Sequence, residues 1–216
     1  MRVLFITHTN SLDGANRSLL QLARELRANH NVEPVVACPR DNHSHVLTDV
    51  YAKEGIKCIP IPIVKFKQIG RKSAAYRIRF AVSSVVHCIS AIHALKGVKF
   101  DIVHSNTSVI DTGAYLAQWR GVPHVWHLRE FGYEDFRMKS VFGKRYERWI
   151  YKKCAYAIAI SKAIVQKYKQ LFGNRLRLVY NGIEPNDDSL SATHTNLVLT
   201  FCIVGRLEPN KNQMEV

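Results

Sequence analysis

Short apolar runs alternate with amphipathic stretches from residue 2 to residue 183 of this chain, and no other feature narrows its fold so far. "RVLFIT" (2–7) is an apolar run ending in polar residues, as a central parallel strand does. "GANRSLLQLARELRAN" follows, with Leu19, Leu22, Ala23 and Leu26 at helical spacing. "VEPVVACP" (32–39) reads as a strand stopped by proline. "HVLTDVYAKEG" (45–55) is a short helix with glycine past its end. "IKCIPIP" (56–62) is an edge strand, because its prolines cannot donate ladder hydrogen bonds. A long helix is expected over 74–95. "DIVHSN" (101–106), "PHVWHLRE" (123–130) and "AYAIAIS" (155–161) are further strands, and "LRLVYNGI" (176–183) is a last strand and turn. "SVIDTGAYLAQWRG" (108–121), 141–153 and "KAIVQKYKQLFG" (162–173) are helices. Such alternation calls for an α/β fold: a Rossmann-like, doubly wound parallel sheet with helices on both faces and right-handed crossovers. Ligands of these sheets bind beyond the C-terminal strand ends, near the point where strand order reverses.

Composition limits the partners. The 216 residues carry 31 Lys and Arg against 17 Asp and Glu, a net charge of +14. That balance favours nucleic acid, acidic lipid or phosphorylated ligands and says nothing about fold. Five scattered cysteines without a C-x-x-C pair read as reduced, mostly buried thiols of a cytoplasmic protein, and no Cys/His spacing supports a metal. "MRVLFITHT" has no signal core. "FAVSSVVHCISAIHAL" (80–95) is too short and too polar to span a bilayer, so a buried helix is expected there. "EPNDDSLSATHTN" (184–196) has linker composition, and "LVLTFCIVGRL" begins a new apolar strand after it.

Strand ends hold the candidate site residues. The first loop has Gly14 alone where a dinucleotide fold needs G-x-G-x-x-G, which disfavours nicotinamide or flavin. Gly14, Ala15 and Asn16 open a helix whose free N–H groups suit an oxyanion, although a plain turn reads equally well. His127 ends a strand, where a histidine can donate to a substrate hydroxyl or act as an acid or base near neutral pH. Arg129 can pair with Glu130 or with an anionic ligand. Ser161, at a strand-to-helix junction, reads as an N-cap. Asn181-Gly182 marks a tight turn before the linker, a hinge or a cleft wall. In "VGRLEPNKN", Gly205 permits close backbone approach, and Arg206 and Lys211 can converge on one diphosphate.

Together, "GANRSLLQLARELR", "DIVHSN", "GVPHVWHLRE", "AYAIAISKAI", "LVYNGIE" and "IVGRLEPNKN" resemble, in order, the N-terminal half of a GT-B glycosyltransferase of family 4. The resemblance implies retaining sugar transfer from a nucleotide-diphosphate sugar, as co-substrate, to a glycan or lipid-linked acceptor, with no obligatory metal or cofactor. It implies that the loop at Gly14 and Ala15 borders donor phosphate and acceptor, that His127 contacts the transferred sugar, and that Arg206 and Lys211 hold the diphosphate. It also implies an acceptor-side domain over 1–183, a linker over 184–196, and over 197–216 the first strand of a nucleotide-sugar-binding domain that the chain lacks. A truncated, folded and inactive fragment is therefore expected. Ala15 and Asn212 stand where the family often has glycine.

Two basic segments adjoin aromatics. "VKFKQIGRKSAAYRIRF" carries Lys65, Lys67, Arg71, Lys72, Arg77 and Arg79, and "RMKSVFGKRYERWIYKKC" adds Tyr146, Trp149 and Tyr151. Cations beside aromatics suit a peripheral membrane surface or a lipid-linked acceptor. A solvated helix face is the plainer reading. Nucleic acid fits the charge but lacks any recognition motif. A non-catalytic basic domain binding anionic membrane or nucleic acid, and a sugar-nucleotide epimerase or a phosphorylase of the same fold, stand as alternatives.

Overall fold

The structure is a computed structural model that describes residues 1–41, 45–182 and 202. The elements run β1 (Arg2–Ile6), α1 (Gly14–Asn29), β2 (Glu33–Pro39), α2 (Val46–Lys53), β3 (Lys57–Ile61), β4 (Lys67–Ile69), α3 (Ala74–Ala94), β5 (Ile102–Ser105), α4 (Thr112–Arg120), β6 (His124–Leu128), α5 (Tyr133–Phe136), β7 (Met138–Ser140), α6 (Gly143–Lys152), β8 (Tyr156–Ala159), α7 (Lys162–Phe172) and β9 (Leu176–Leu178). Seven strands form one parallel sheet in the order β3-β2-β1-β5-β6-β8-β9. The chain builds outward from β1 to β3, then returns beside β1 with β5 and builds the other way. The strand order therefore reverses between β1 and β5.

Alternation within β1 divides the core. Val3 and Phe5 pack with Leu19, Leu20 and Ala23 of α1 and with Leu47 and Tyr51 of α2. Leu4 and Ile6 pack with Ala91 of α3 and with Leu116 and Ala117 of α4. A third cluster joins Trp126 and Leu128 of β6 to Ala157 and Ala159 of β8, under Ile150 and Tyr151 of α6 and Ile164 and Tyr168 of α7. Helices thus cover both faces, as βαβ crossovers demand. Local chemistry fixes the helix ends. The side chains of Asp13, Ser73 and Ser161 each accept a hydrogen bond from the third residue beyond them. Gly121 ends α4 with a left-handed φ of 68°. The edge position expected of the proline-bearing strand is occupied by β3, which pairs on one side only.

The structure departs from the sequence reading in three places. An antiparallel pair, β4 with β7, joins segments that the sequence does not mark as strands. The helix expected over 108–121 begins only at Thr112, because Ser108 and Val109 make loop hydrogen bonds. The helix read as buried is α3, and only Phe80 and Ala91 of it are fully enclosed. Apolar residues occur all round this helix, whereas the sheet covers a single side of it.

All five cysteines are free thiols, but only Cys38 and Cys154 are buried. Among the described residues, no helix is long and apolar enough to cross a membrane. The chain divides into two compact units, Met1–Asn181 and Gly182–Val216. The linker over 184–196, the strand expected from 197, and Gly205, Arg206 and Lys211 lie outside the described residues.

Candidate active site

At the C-terminal ends of β1, β5 and β6, polar side chains converge around the switch point. Asp13 caps α1, accepting from the Asn16 amide at 3.0 Å and from the Thr9 hydroxyl at 2.8 Å. The Asn16 side chain is buried and donates to Ser11 O at 2.7 Å and Thr9 Oγ1 at 3.0 Å. Asn16 thereby shapes the loop from within. Gly14 is exposed, and a Cβ there would meet nothing within 4 Å, so backbone is open to approach at this helix start.

Asn106, one residue past β5, ties the loop to the strands. Its Nδ2 donates to Ala15 O at 3.0 Å, and its Oδ1 accepts from Arg129 Nε at 2.8 Å. Arg129 is the hub of the cluster. Its Nη1 donates to Asn181 Oδ1 at 2.9 Å and to Ser18 Oγ at 3.2 Å, and its Nη2 reaches His127 Nδ1 at 3.4 Å. Desolvation lowers the Arg129 pKa to about 10, against the opposing pull of Glu130, Asp13 and Tyr51.

Arg129 does not pair with Glu130, one of the two partners that the sequence leaves open for it. Glu130 Oε1 instead accepts from Thr107 Oγ1 at 2.7 Å, Ser108 N at 2.6 Å and Ser108 Oγ at 2.8 Å. The 107–108 loop is held from below as well: Trp126 Nε1 donates to Thr107 O at 2.7 Å and the Tyr151 hydroxyl to Ser108 O at 2.8 Å.

His127 is 6% exposed. Its Nδ1 lies 3.2 Å from His104 Nε2 and 3.4 Å from Arg129 Nη2. A guanidinium only donates, so Nδ1 is the acceptor and the proton resides on Nε2. That Nε2 is buried and has no hydrogen-bond partner among the described residues. Desolvation, then His104 and Arg129, push the His127 pKa down to about 2. Of the two roles that the sequence allows it, acid or base near neutral pH and donor to a substrate hydroxyl, these surroundings favour the donor. This histidine is a neutral donor with an unused N–H.

His8, which follows β1, was not singled out by sequence. Burial lowers its pKa, with Glu130 opposing and Lys65 reinforcing the shift. Asn106 was also overlooked. The rule that pointed to His127, inspection of residues just past a strand, finds both when applied to "ITHT" and "DIVHSN". Asn181 joins the cluster through Arg129, and Gly182 is exposed.

Of the basic patch, Lys65, Arg71, Arg77 and Arg79 are exposed and Lys72 is half-buried. Lys67 is not part of it. It is 4% exposed, paired with Glu147 at 2.8 Å and set over the Tyr151 ring at 5.0 Å. Burial works against its charge, but Tyr168 and Glu147 outweigh that and raise its pKa. Tyr151, from the second basic segment, is likewise fully buried.

A seven-stranded parallel sheet with a polar cluster at its switch point is the N-terminal half of a GT-B fold. The family model for Glycosyltransferase Family 4 matches residues 12–187, and the chain belongs to that family. Among solved structures it is similar to HepE of Anabaena in complex with UDP and glucose, with TM-score 0.54 and 19% identity over 85% of this chain and 45% of that one. It is also similar to MurG of Acinetobacter baumannii, with TM-score 0.51 and 13% identity over 85% and 47%. A third is the UDP-GlcNAc 2-epimerase of Neisseria meningitidis bound to UDP-GlcNAc, with TM-score 0.52 and 14% identity over 84% and 48%. At these identities the likeness is one of fold. The chain spans less than half the length of each of the three. No curated protein matches it.

Proposed function

We propose that the chain supplies the acceptor-side domain, residues 1–183, of a retaining glycosyltransferase. The enzyme would pass a sugar from a nucleotide-diphosphate sugar to a glycan or lipid-linked acceptor in cell-surface polysaccharide or glycolipid synthesis, in the cytoplasm. In this reading 184–196 is a linker. Residues 197–216 open the nucleotide-sugar-binding domain, where Gly205, Arg206 and Lys211 grip the donor diphosphate. The observation that carries the proposal is His127, whose neutral ring has an unpartnered, buried Nε2–H at the switch-point end of β6. An unmet buried donor costs about 1–3 kcal/mol, which a sugar hydroxyl accepting from it would offset. Arg129, which can only donate to Nδ1, holds the tautomer that makes this possible. The open backbone at Gly14 and Ala15 would face donor phosphate and acceptor. HepE, in complex with UDP and glucose, supports the donor class by likeness of fold.

The test is transfer from a panel of nucleotide sugars by the chain, together with whatever its gene encodes beyond Val216. Anomeric configuration of the product is read by NMR. His127→Ala should lower kcat by about 100-fold with the fold intact, the scale of losing one oriented donor. An unchanged rate removes His127 from the reaction. Conversion of the donor to its epimer without any acceptor would mark an epimerase instead, the activity named for one of the similar structures.

A further inference from the structure

Helix α3 carries an apolar face that nothing in the described structure covers. Ile78, Val82, Val85, Val86 and Ile89 are between 58% and 67% exposed. Their spacing of four, three, one and three residues puts them on one side of the helix. Phe80 and Ala91, which anchor α3 to the core, lie on the opposite side. Scattered exposed aliphatics need no explanation, but a contiguous stripe marks an interaction surface.

The charge around this stripe selects its occupant. No Asp or Glu occurs between Glu54 and Asp101, whereas that interval holds Lys65, Arg71, Lys72, Arg77 and Arg79 among its cations. Arg77 and Arg79 flank the stripe at its N-terminal end. There α3 adjoins a cleft of about 1350 Å³ lined by Arg71, Lys72, Arg77, Arg137, Lys144 and Arg148. The two carboxylates in that cleft are already engaged, Glu134 by Lys167 and Glu147 by Lys67. Among the described residues, none of the six cations has a carboxylate within ion-pair distance. A second copy of a chain of net charge +14 would bring like charges together, with no carboxylate on the helix to pair with them. Nucleic acid would meet the cations but has no use for five aliphatic side chains. A bilayer bearing acidic headgroups satisfies both features.

We propose that α3 and the basic cleft at its N-terminal end seat this protein on an anionic lipid bilayer. The aliphatic stripe lies at the boundary of headgroups and acyl chains, and the arginines and lysines contact lipid phosphates. This goes beyond the transferase reading and does not depend on it, since binding is measured without donor or acceptor.

Cosedimentation of the 216-residue chain with vesicles tests it. Vesicles of phosphatidylglycerol mixed with phosphatidylcholine should retain the protein at least tenfold better than phosphatidylcholine alone, and the gain should shrink as salt rises. Val82→Asp/Val86→Asp should lower binding at least tenfold with the circular dichroism spectrum unchanged, and so should Arg77→Ser/Arg79→Ser. Lys53→Ser/Lys169→Ser removes the same charge from other exposed sites and should change binding less than threefold. The proposal is overturned if the protein ignores anionic vesicles at low salt, or if the Val82→Asp/Val86→Asp variant binds them as wild type does. It is also overturned if light scattering shows a dimer that this variant dissociates, or if duplex DNA binds more tightly than the vesicles do.

Discussion

His127 shows how a single side chain takes its chemistry from its neighbours. A histidine at a strand end is ambiguous in sequence, able to be an acid, a base or a spectator. Here Arg129 can only donate, so the Nδ1 that faces it is the acceptor. The ring is then held neutral by burial and by two neighbours that repel its cation. In long-range 15N–1H spectra, His127 should appear as the Nε2–H tautomer and should not titrate between pH 8 and pH 5. A midpoint near 6.5, or a proton on Nδ1, would contradict the assignment. Arg129→Met should loosen the tautomer preference, because the strictly donating partner is gone. Mixing of the two tautomers in that variant would separate the guanidinium's effect from that of burial.

At the scale of elements, α4 packs against the sheet through the absence of a side chain. A Cβ on Gly113 would lie 2.1 Å from Ser105 Oγ, 3.1 Å from His124 Nε2 and 3.3 Å from Ile6 Cδ1. Ser105 could turn away, but only by giving up its 2.9 Å hydrogen bond to His124. His124 Nδ1 already lacks a partner, so the buried ring would lose its remaining one. Gly113→Ala should therefore destabilise the chain by about 1–3 kcal/mol in urea unfolding, whichever way the strain is relieved. A change below about 0.5 kcal/mol, the ordinary surface range, would show that α4 simply shifts. The strands and most helices could be read from sequence because their apolar periods are local. Gly113's role could not, since it depends on β5 and β6 meeting α4. The β4–β7 pair has three residues a side and joins segments about seventy residues apart, so no local pattern announces it. Lys67 looked like a surface cation because its partner, Glu147, is distant in the chain. The apolar run in α3 looked like core because composition does not say which side of a helix the sheet will cover. In the site, strand-end position identified His127 and Arg129, whereas their mutual orientation came only with the fold.

For the whole molecule, the buried histidines govern the response to acid. His104 and His124 are pushed down to about 3, chiefly by burial, and His127 to about 2. Unfolded, each returns to about 6.5. A depressed base contributes stability that is complete above pH 6.5 and is lost as pH falls toward the folded value, because the unfolded chain binds the protons first. Asp111 works the other way. Burial raises its pKa to about 6, although the Tyr146 hydroxyl donates to it at 2.5 Å. Its contribution is complete below its ordinary value near 3.8 and is lost as pH rises through 6. Near pH 5, three protons taken up by His104, His124 and His127 on unfolding are set against nearly one released by Asp111, leaving a net uptake of about two from these four groups, to which His8, also lowered by burial, adds. The unfolding free energy should then fall by at least about 3 kcal/mol per pH unit near pH 5. Denaturant titrations at half-unit intervals from pH 7 to pH 5 would measure the slope. His104→Gln should remove about one proton from it, and Asp111→Asn should steepen it by somewhat less than one. A flat profile between pH 6 and pH 5 would mean that the histidines ionise within the folded sheet. Their nitrogens would then be reached by water, and His127 would not be the neutral, unpartnered donor on which the transferase reading rests.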